Sequence, residues 1–340
     1  MRALVTGGGG FLGAAVVRRL VARGDTVRSL TRGAYPELDA LGVETVRGDV
    51  ADPAVVGRAV VGCDVVFHIA AKAGIWGSDA DYRRTNVDGT RAVAEACREH
   101  GVGRLVFTST PSVVHAGRDI AGGDESLPYA TRFSSPYPAT KAVAERMVLA
   151  ANSPALATVA LRPHLIWGPG DTQLVPRILD LARRGRLRLV DGGRALVDST
   201  YIDDAAAAHL LAADRLAAGS AVAGRAYFIS AGEPRPVREL VHGFLAAGGL
   251  APMSTSLPFP VAYGLGAGLE AAYRLLGRAD EPPLTRFLAR QLATAHWFDI
   301  TAARRDLGYA PQVSIAEGLR RLRCHLAATH RADLPAPLGE

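Results

Sequence analysis

The chain has 340 residues, 49% of them apolar, enough for two layers of packing around a large core. Its 39 basic and 33 acidic residues leave a formal charge of +6. The basic clusters Arg183, Arg184, Arg186, Arg188 and Arg320, Arg321, Arg323 carry no interleaved aromatics, and no nucleic-acid module is recognisable, so nucleic acid is excluded as a partner. An Arg-rich solvated face, or a local anionic ligand, accounts for the excess charge. Cys63, Cys97 and Cys324 are scattered and match neither a disulfide framework nor a CxxC pair. The first residues run straight into a strand-and-glycine motif with no signal-peptide pattern, so a cytoplasmic protein is expected.

In chain order, residues 2–6 (RALVT) read as a strand ending in glycines. Residues 12–23 follow with a helical stripe of Leu12, Val16, Leu20 and Val21. Strands are predicted over 26–31, 43–47, 64–70 and 104–109, with helices over 54–61 and 83–99 between them. Helix 137–152 then leads to strand 156–161. Strands alternating with helices at this spacing predict an α/β fold, a parallel sheet covered on both faces.

After Pro163 the pattern loosens. Helices are expected over 173–185, 203–218, 237–248 and 284–292, short strands within 187–198, and a strand over 225–230. The apolar stretch 257–277 is interrupted by Glu270 and Arg274 and opens on Pro258 and Pro260. A membrane span needs about 20 largely apolar residues. The stretch reads instead as a buried helix, or as an interfacial or substrate-lining one with peripheral membrane contact. The division expected is 1–162 for a dinucleotide, 163–330 mainly for substrate with segments returning to the main sheet, and a flexible Pro- and Ala-rich tail over 331–340.

Gly7, Gly10 and Gly13 sit in TGGGGFLG at the first strand–helix junction. Glycines there let the backbone approach a pyrophosphate, and the helix N-terminus at Phe11, Leu12 and Gly13 offers unpaired N–H groups to it. The second strand ends Leu30-Thr31-Arg32, with no acid to accept from the adenosine ribose. Arg32 can pair with a 2′-phosphate, so NADP(H) is expected ahead of NAD(H). A surface arginine closing the strand is the plainer alternative. Asp49 and Val50 follow the third strand, near the adenine edge, where Asp49 either accepts from the ring amine or caps a turn. Ala70, Ala71 and Lys72 end the fourth strand and would line the cofactor.

Tyr137 and Lys141, in YPATK, are four apart and share one helix face. A nearby ammonium lowers a phenol's pKa, which suits tyrosine for proton transfer to a developing alkoxide. Ser109 and Thr110, at the carboxyl end of a strand, are both candidates to hold the substrate oxygen. Asn86 either bridges to Lys141 through water or satisfies backbone as a buried amide. His68, His115 and His164 read as local hydrogen-bonding residues, and Asp203 and Asp204 as helix caps. No metal-ligand cluster and no GxSxG elbow appear.

These residues resemble the extended short-chain dehydrogenase/reductase family. The marks are TGGGGFLG at 6–13, RGDV at 47–50, HIAA at 68–71, Asn86 in TNVDGT and YPATK at 137–141. The resemblance implies a Rossmann-type doubly wound sheet with a smaller C-terminal substrate-binding region. It places Thr110 as the catalytic hydroxyl and Thr108 near the cofactor, and puts Pro163, in RPHLIWGPGD at 162–171, at the hinge between cofactor and substrate. Within the family the chain is similar to the 3β-hydroxysteroid and sterol-4-carboxylate dehydrogenases. It is still more similar to bacterial ketoreductases of long-chain olefin biosynthesis, through AAKAGIWGS at 70–78 and EPPLTRFLARQL at 281–292. That implies NADPH-dependent reduction of a long-chain 2-alkyl-3-oxoalkanoic acid, a β-lactone synthetase and a β-lactone decarboxylase as partners, and a homodimer. A hydroxysteroid or nucleotide-sugar enzyme of the same fold, and a non-catalytic nucleotide-binding protein, are the alternatives.

Overall fold

The computed structural model describes residues 1–332, with side chains through 329. In the first half, β1 (Arg2–Thr6) leads into α1 (Phe11–Ala22), followed by β2 (Thr26–Thr31), α2 (Pro36–Ala40), β3 (Glu44–Arg47), α3 (Pro53–Val60) and β4 (Val65–His68). Then come α4 (Asp79–Tyr82), α5 (Gly89–Glu99), β5 (Arg104–Thr108), β6 (Ile120–Gly123), α6 (Pro136–Ala150) and β7 (Ala157–Pro163). The second half runs β8 (Ile166–Trp167), α7 (Leu174–Arg183), β9 (Leu189–Val190), β10 (Leu196–Val197), β11 (Thr200–Tyr201), α8 (Ile202–Arg215), β12 (Arg225–Ile229) and β13 (Arg235–Pro236). It continues through α9 (Val237–Ala247), β14 (Ser256–Leu257), α10 (Phe259–Leu275), α11 (Arg286–Ala293), β15 (His296–Phe298) and α12 (Ile315–Ala332).

Seven strands form one parallel sheet in the order β12-β7-β5-β4-β1-β2-β3. Because side chains alternate along a strand, each central strand feeds two cores. Ala3, Val5, Val65 and Phe67 face one core with α1 and α8. Leu4, Val66, Leu105 and Phe107 face the other with α3, α5 and α6. The strands are apolar on both sides for that reason. Chain order reverses between β1 and β4, which opens a crevice at their carboxyl ends, where such sheets bind ligands.

The second half is built of smaller pieces. β13, β10, β15 and β6 form a four-stranded sheet, so a strand from the first half joins strands from the second. β12 does the converse and extends the main sheet. The expected helix over 83–99 is a composite: α4, a π-helical turn over Arg83–Asp88, then α5. Such turns are rare and concentrate at functional sites; this one carries Asn86. Residues 331 and 332 close α12, so the first two positions of the expected flexible tail are helical. The remainder of that tail, 333–340, lies outside the described residues. Among the described residues, no helix is long and apolar enough to cross a membrane.

Candidate functional site

A cavity of about 650 Å³ runs from the β1–α1 glycine loop, past the carboxyl ends of β4, β5 and β7, to α7, α9 and α11. One half is lined by glycines and strand ends, the other by apolar side chains such as Ile178, Leu240, Val241, Phe244 and Phe287.

The glycine loop is shaped by close approach. A Cβ on Gly13 would sit 2.1 Å from the Gly7 carbonyl oxygen, and one on Gly9 would enter the Tyr35 ring. Gly7 has φ +74°, a left-handed conformation that favours glycine. Gly10 caps α1 without a side chain, and its carbonyl accepts from Ala14 N. The N–H groups of Phe11, Leu12 and Gly13 therefore have no helical acceptor and line the cavity. A bare, positively polarised helix end in a glycine cradle fits a dinucleotide pyrophosphate.

Behind the loop, Thr6 Oγ1 accepts from the N–H groups of Ile69 and Ala70, each at 3.1 Å. The same hydroxyl lies 2.8 Å from His68 Nδ1, whose Nε2 lies 2.9 Å from Thr90 Oγ1. Burial, followed by the charge of Lys141, pushes His68 down to about 3. It is a neutral strut behind Thr6, which fixes Ile69 and Ala70 on the cavity wall. Val50 is also on the wall and is packed under Gly89. Asp49 holds its own turn through Ala51 N at 2.9 Å and pairs with Arg84 at 2.8 Å.

Two expected residues lie off the wall. Lys72 Nζ is 2.9 Å from Asp81 and stacks over Tyr82, turned away from the cavity. Asn86 accepts from Lys72 N at 2.8 Å and donates to Lys72 O at 3.1 Å and Thr140 Oγ1 at 3.0 Å. Its amide ties the post-β4 loop to α6, which is the backbone-satisfying role.

The proton-transfer candidates converge where the two halves meet. Tyr137 and Lys141 lie in the first turns of α6, with Pro136 and Pro138 at its start, where missing N–H groups are tolerated. Lys141 Nζ donates to Thr108 O at 2.5 Å and sits 4.0 Å over the Phe107 ring. Burial lowers its pKa to about 7, against the pull of Glu145. Tyr137 is pushed up to about 12 by burial, with the neighbouring Thr110 hydroxyl acting the other way. The expected ammonium–phenol interaction is not made here: Lys141 bonds the Thr108 carbonyl, and Thr110 is the group beside the phenol. Thr110 Oγ1 accepts from Ser112 N at 3.2 Å and donates to Ser112 Oγ at 3.3 Å. Ser109 is buried with its hydroxyl unpartnered, and the Thr108 hydroxyl is tied to His209 at 2.8 Å. Of the two candidates at 109 and 110, Thr110 has the geometry. Pro163 lines the cavity where β7 ends.

Sequence reasoning passed over Ser112, Gln291 and His296, all of which line the cavity. His296 lies 3.0 Å from His164 and shares a cluster with His115. No spacing rule links positions 115, 164 and 296; only the pairing of β6 with β15 brings them together.

A match to the 3-beta hydroxysteroid dehydrogenase/isomerase family spans residues 4–259. The chain is 58% identical to a 2-alkyl-3-oxoalkanoate reductase of Stenotrophomonas maltophilia, over 96% of this chain and all of that one. It is 50% identical to a protein of the same name from Shewanella oneidensis, over 95% of this chain and 86% of that one. Among solved structures, MoeE5 in complex with UDP-glucose and NAD is similar at TM-score 0.74 and 26% identity, over 98% of this chain and 99% of that one. The UDP-glucose 4-epimerase of Thermus thermophilus, in complex with NAD, is similar at TM-score 0.74 and 27% identity, over 96% and 99%. Both hold NAD, which overturns the expectation of NADP(H) and favours NAD(H). The physical reason lies in Arg32. It is exposed, and Arg32 and Lys141 are the only Arg or Lys side chains on the described cavity wall. Lys141 lies on α6 at the end of β5, and a lone guanidinium can also donate to ribose hydroxyls, so Arg32 alone does not require a 2′-phosphate. The fold, the glycine cradle and the full-length likeness agree: the chain is an oxidoreductase acting on a carbonyl or hydroxyl group, and it belongs to the 3-beta hydroxysteroid dehydrogenase/isomerase family of extended short-chain dehydrogenases/reductases.

Proposed function

We propose that the chain reduces the 3-keto group of a long-chain 2-alkyl-3-oxoalkanoic acid to the 3-hydroxy acid, in long-chain olefin biosynthesis. The observation that carries this reading is the Tyr137–Thr110 hydroxyl pair, set where a dinucleotide cradle gives way to an apolar chamber. The names of the Stenotrophomonas and Shewanella relatives supply the substrate.

The residues that would hold the dinucleotide are Gly7, Gly10 and the Phe11–Gly13 N–H groups at the pyrophosphate, Arg32, Asp49 and Val50 at the adenosine end, and Ala70, Ala71, Thr108 and Pro163 along the wall. When bound, the nicotinamide supplies the hydride for the ketone carbon. Thr110 and Tyr137 hold the carbonyl oxygen and stabilise the charge that grows on it. Tyr137 then gives up its phenolic proton. A phenol pushed up to about 12 stays protonated at neutral pH, which is the form reduction consumes. Lys141 fixes the end of β5 through Thr108 and is placed to bond the nicotinamide ribose. The apolar wall takes the two alkyl chains and excludes water.

Residues 1–162 serve the cofactor and 163–330 mainly the substrate. The hydroxy acid product suits a β-lactone synthetase followed by a β-lactone decarboxylase, and these are the partners we assign to a cytoplasmic homodimer, with peripheral membrane contact through the 257–277 segment.

The test is oxidation of a 2-alkyl-3-hydroxyalkanoic acid with NAD⁺ by the purified chain, beside a sterol and a UDP-sugar. Turnover of the hydroxy acid is expected, with a loss of roughly 10²–10⁴-fold in Tyr137→Phe. Turnover of the sterol or UDP-sugar alone overturns the substrate, and a normally active Tyr137→Phe overturns the proton donor.

A further inference from the structure

A carboxylate entering an apolar chamber needs a partner, and the cations first at hand are all engaged or remote. Lys141 is bonded to the Thr108 carbonyl and Lys72 to Asp81. Arg32 stands at the end of β2, in the dinucleotide half. On the rest of the described wall, the side chains able to gain a positive charge are His164, just past β7, and His296, in β15.

Their hydrogen bonds fix where the protons sit. His296 Nε2 lies 2.8 Å from the Gln291 carbonyl, which can only accept, so Nε2 carries a proton. In the neutral ring, His296 Nδ1 is then an acceptor, and it takes the proton of His164 Nε2 at 3.0 Å. That leaves His164 Nδ1 without a proton and without a hydrogen bond of good geometry, shut off from solvent and turned to the Asp198 backbone, on a ring 8% exposed at the cavity wall. An unsatisfied buried polar atom is a standing cost of about 1–3 kcal/mol, and such atoms call for an explanation. A third proton on the pair would turn Nδ1 into a donor toward the Asp198 carbonyl and set a positive charge in the ring at the cavity wall.

Resting on the reading above, we propose that the His164–His296 pair is the subsite for the substrate carboxylate, and that it takes up one proton from solvent when the anion binds. The charges balance: one carboxylate leaves water, one proton joins the pair, and the buried complex is neutral. Without ligand the rings stay uncharged, because burial holds both below the usual histidine range, and at His164 a charge on His296 or His115 would lower it further. A neutral ketone or ester brings no counter-charge and gains nothing from the pair. The subsite thereby selects a keto acid over its decarboxylated ketone.

The groups that face the pair are accounted for. His115 abuts His296, its Nδ1 bonded to Gln291 at 3.0 Å, and Asp119 acts on both rings from the same loop. The Asp198 carboxylate, after β10, is held by Ser230 Oγ at 2.7 Å, Gly232 N at 2.8 Å and Ser199 N at 2.7 Å. Arg162 on β7 is paired with Glu145, and Arg290 on α11 is bonded to Ser134 and Tyr263. None of these is a free charge that would replace the incoming carboxylate.

The experiment compares, on the whole chain with NAD⁺, a long-chain 2-alkyl-3-hydroxyalkanoic acid and its methyl ester across roughly pH 6 to 9, the range in which a perturbed histidine titrates. The readout is the acid-over-ester ratio of kcat/KM, which cancels the pH dependence of proton removal by Tyr137 that both probes share. In the wild type the acid is preferred, and the ratio falls as pH rises, because anion binding needs the added proton. His164→Gln and His296→Gln are each expected to lower the ratio by about tenfold or more and to flatten its pH dependence. The wild-type profile needs no variant, so a misfolded substitution does not shield the idea. Equal handling of acid and ester by the wild type, or an acid preference that survives in both variants, overturns the subsite and leaves ketoreduction standing. Oxidation of neither probe overturns both.

Discussion

At position 13 there is no room for one methyl group: a Cβ would lie 2.1 Å from the Gly7 carbonyl oxygen and 2.7 Å from its carbon. Gly13→Ala must therefore push α1 off the loop and misaim the N–H groups of its first turn. It is expected to weaken NADH binding at least about tenfold, the effect of losing one to two kcal/mol of aligned donors; a fluorescence titration with an unchanged Kd would show that the helix end does not need this packing. Tyr137 carries a second residue-scale consequence. With its phenol pushed up to about 12, alcohol oxidation, which needs the phenolate, should climb with pH through the neutral and alkaline range. Ketone reduction should stay flat there. Oxidation that is flat between about pH 7 and 9 would mean that the bound dinucleotide brings the phenol down into the neutral range. These residues were legible as types and spacings: three glycines at a strand–helix junction, and a tyrosine four before a lysine. What those groups touch was not legible. Asn86 turned out to latch a loop, Lys72 to face Asp81, and Asp204 to receive the N–H groups of Gln312 and Val313 instead of capping its own helix. Each of those contacts depends on side-chain direction or on a distant segment, and spacing along the chain encodes neither.

Helix α6 presents Tyr137 and Lys141 above β5, and a buried ion pair adds to its apolar packing on the sheet. Glu145, one turn past Lys141, is fully buried and bonds Arg162 of β7 at 2.6 and 3.1 Å, while the Tyr129 hydroxyl donates to it at 2.6 Å. Glu145→Gln leaves a buried guanidinium without its charge partner and is expected to destabilise the chain by about 3–5 kcal/mol. Glu145→Gln combined with Arg162→Met removes both charges and should recover part of that loss. Urea denaturation of the single and double variants decides the matter: equal midpoints for wild type and Glu145→Gln would show that the pair does not anchor the helix. The alternation of strands and helices through Pro163 was readable because each strand there is apolar on both faces and each helix carries a stripe. Later elements were harder. β15 has three residues and exists by pairing with β6 and β10, both far from it along the chain. α12 shows its stripe of Ile315, Leu319, Leu322 and Leu326, yet Arg320, Arg321 and Arg323 made it read as a charge cluster. Arg320 and Arg321 are in fact paired with Glu317 on the helix surface.

Across the whole molecule, buried histidines give folding a pH dependence of definite sign. Burial pushes His68 down to about 3, and His115 and His209 down to about 4; His164 and His296 are lowered as well. Each folded pKa lies below the value near 6.5 of a free imidazole, so between the two the unfolded chain binds more protons than the folded one. The stability each ring contributes is therefore complete above pH 6.5 and is lost as pH falls toward 4. The loss is on the order of 1.4 kcal/mol per pH unit for each ring well inside that window. Buried carboxyls work against this. Glu125, Asp198 and Asp204 are raised by burial, and their contribution fades as pH rises through their folded values. Backbone and hydroxyl donors offset the burial of all three, and five rings outnumber three carboxyls, so the histidines set the slope. Lys141, lowered to about 7, is protonated in both states below that pH and adds nothing to the acid limb. Urea midpoints measured at intervals from pH 7.5 to 4.5 should thus fall steadily below about 6.5. A flat profile would mean that the rings protonate in place, which requires water or carboxylates to reach them in the native state.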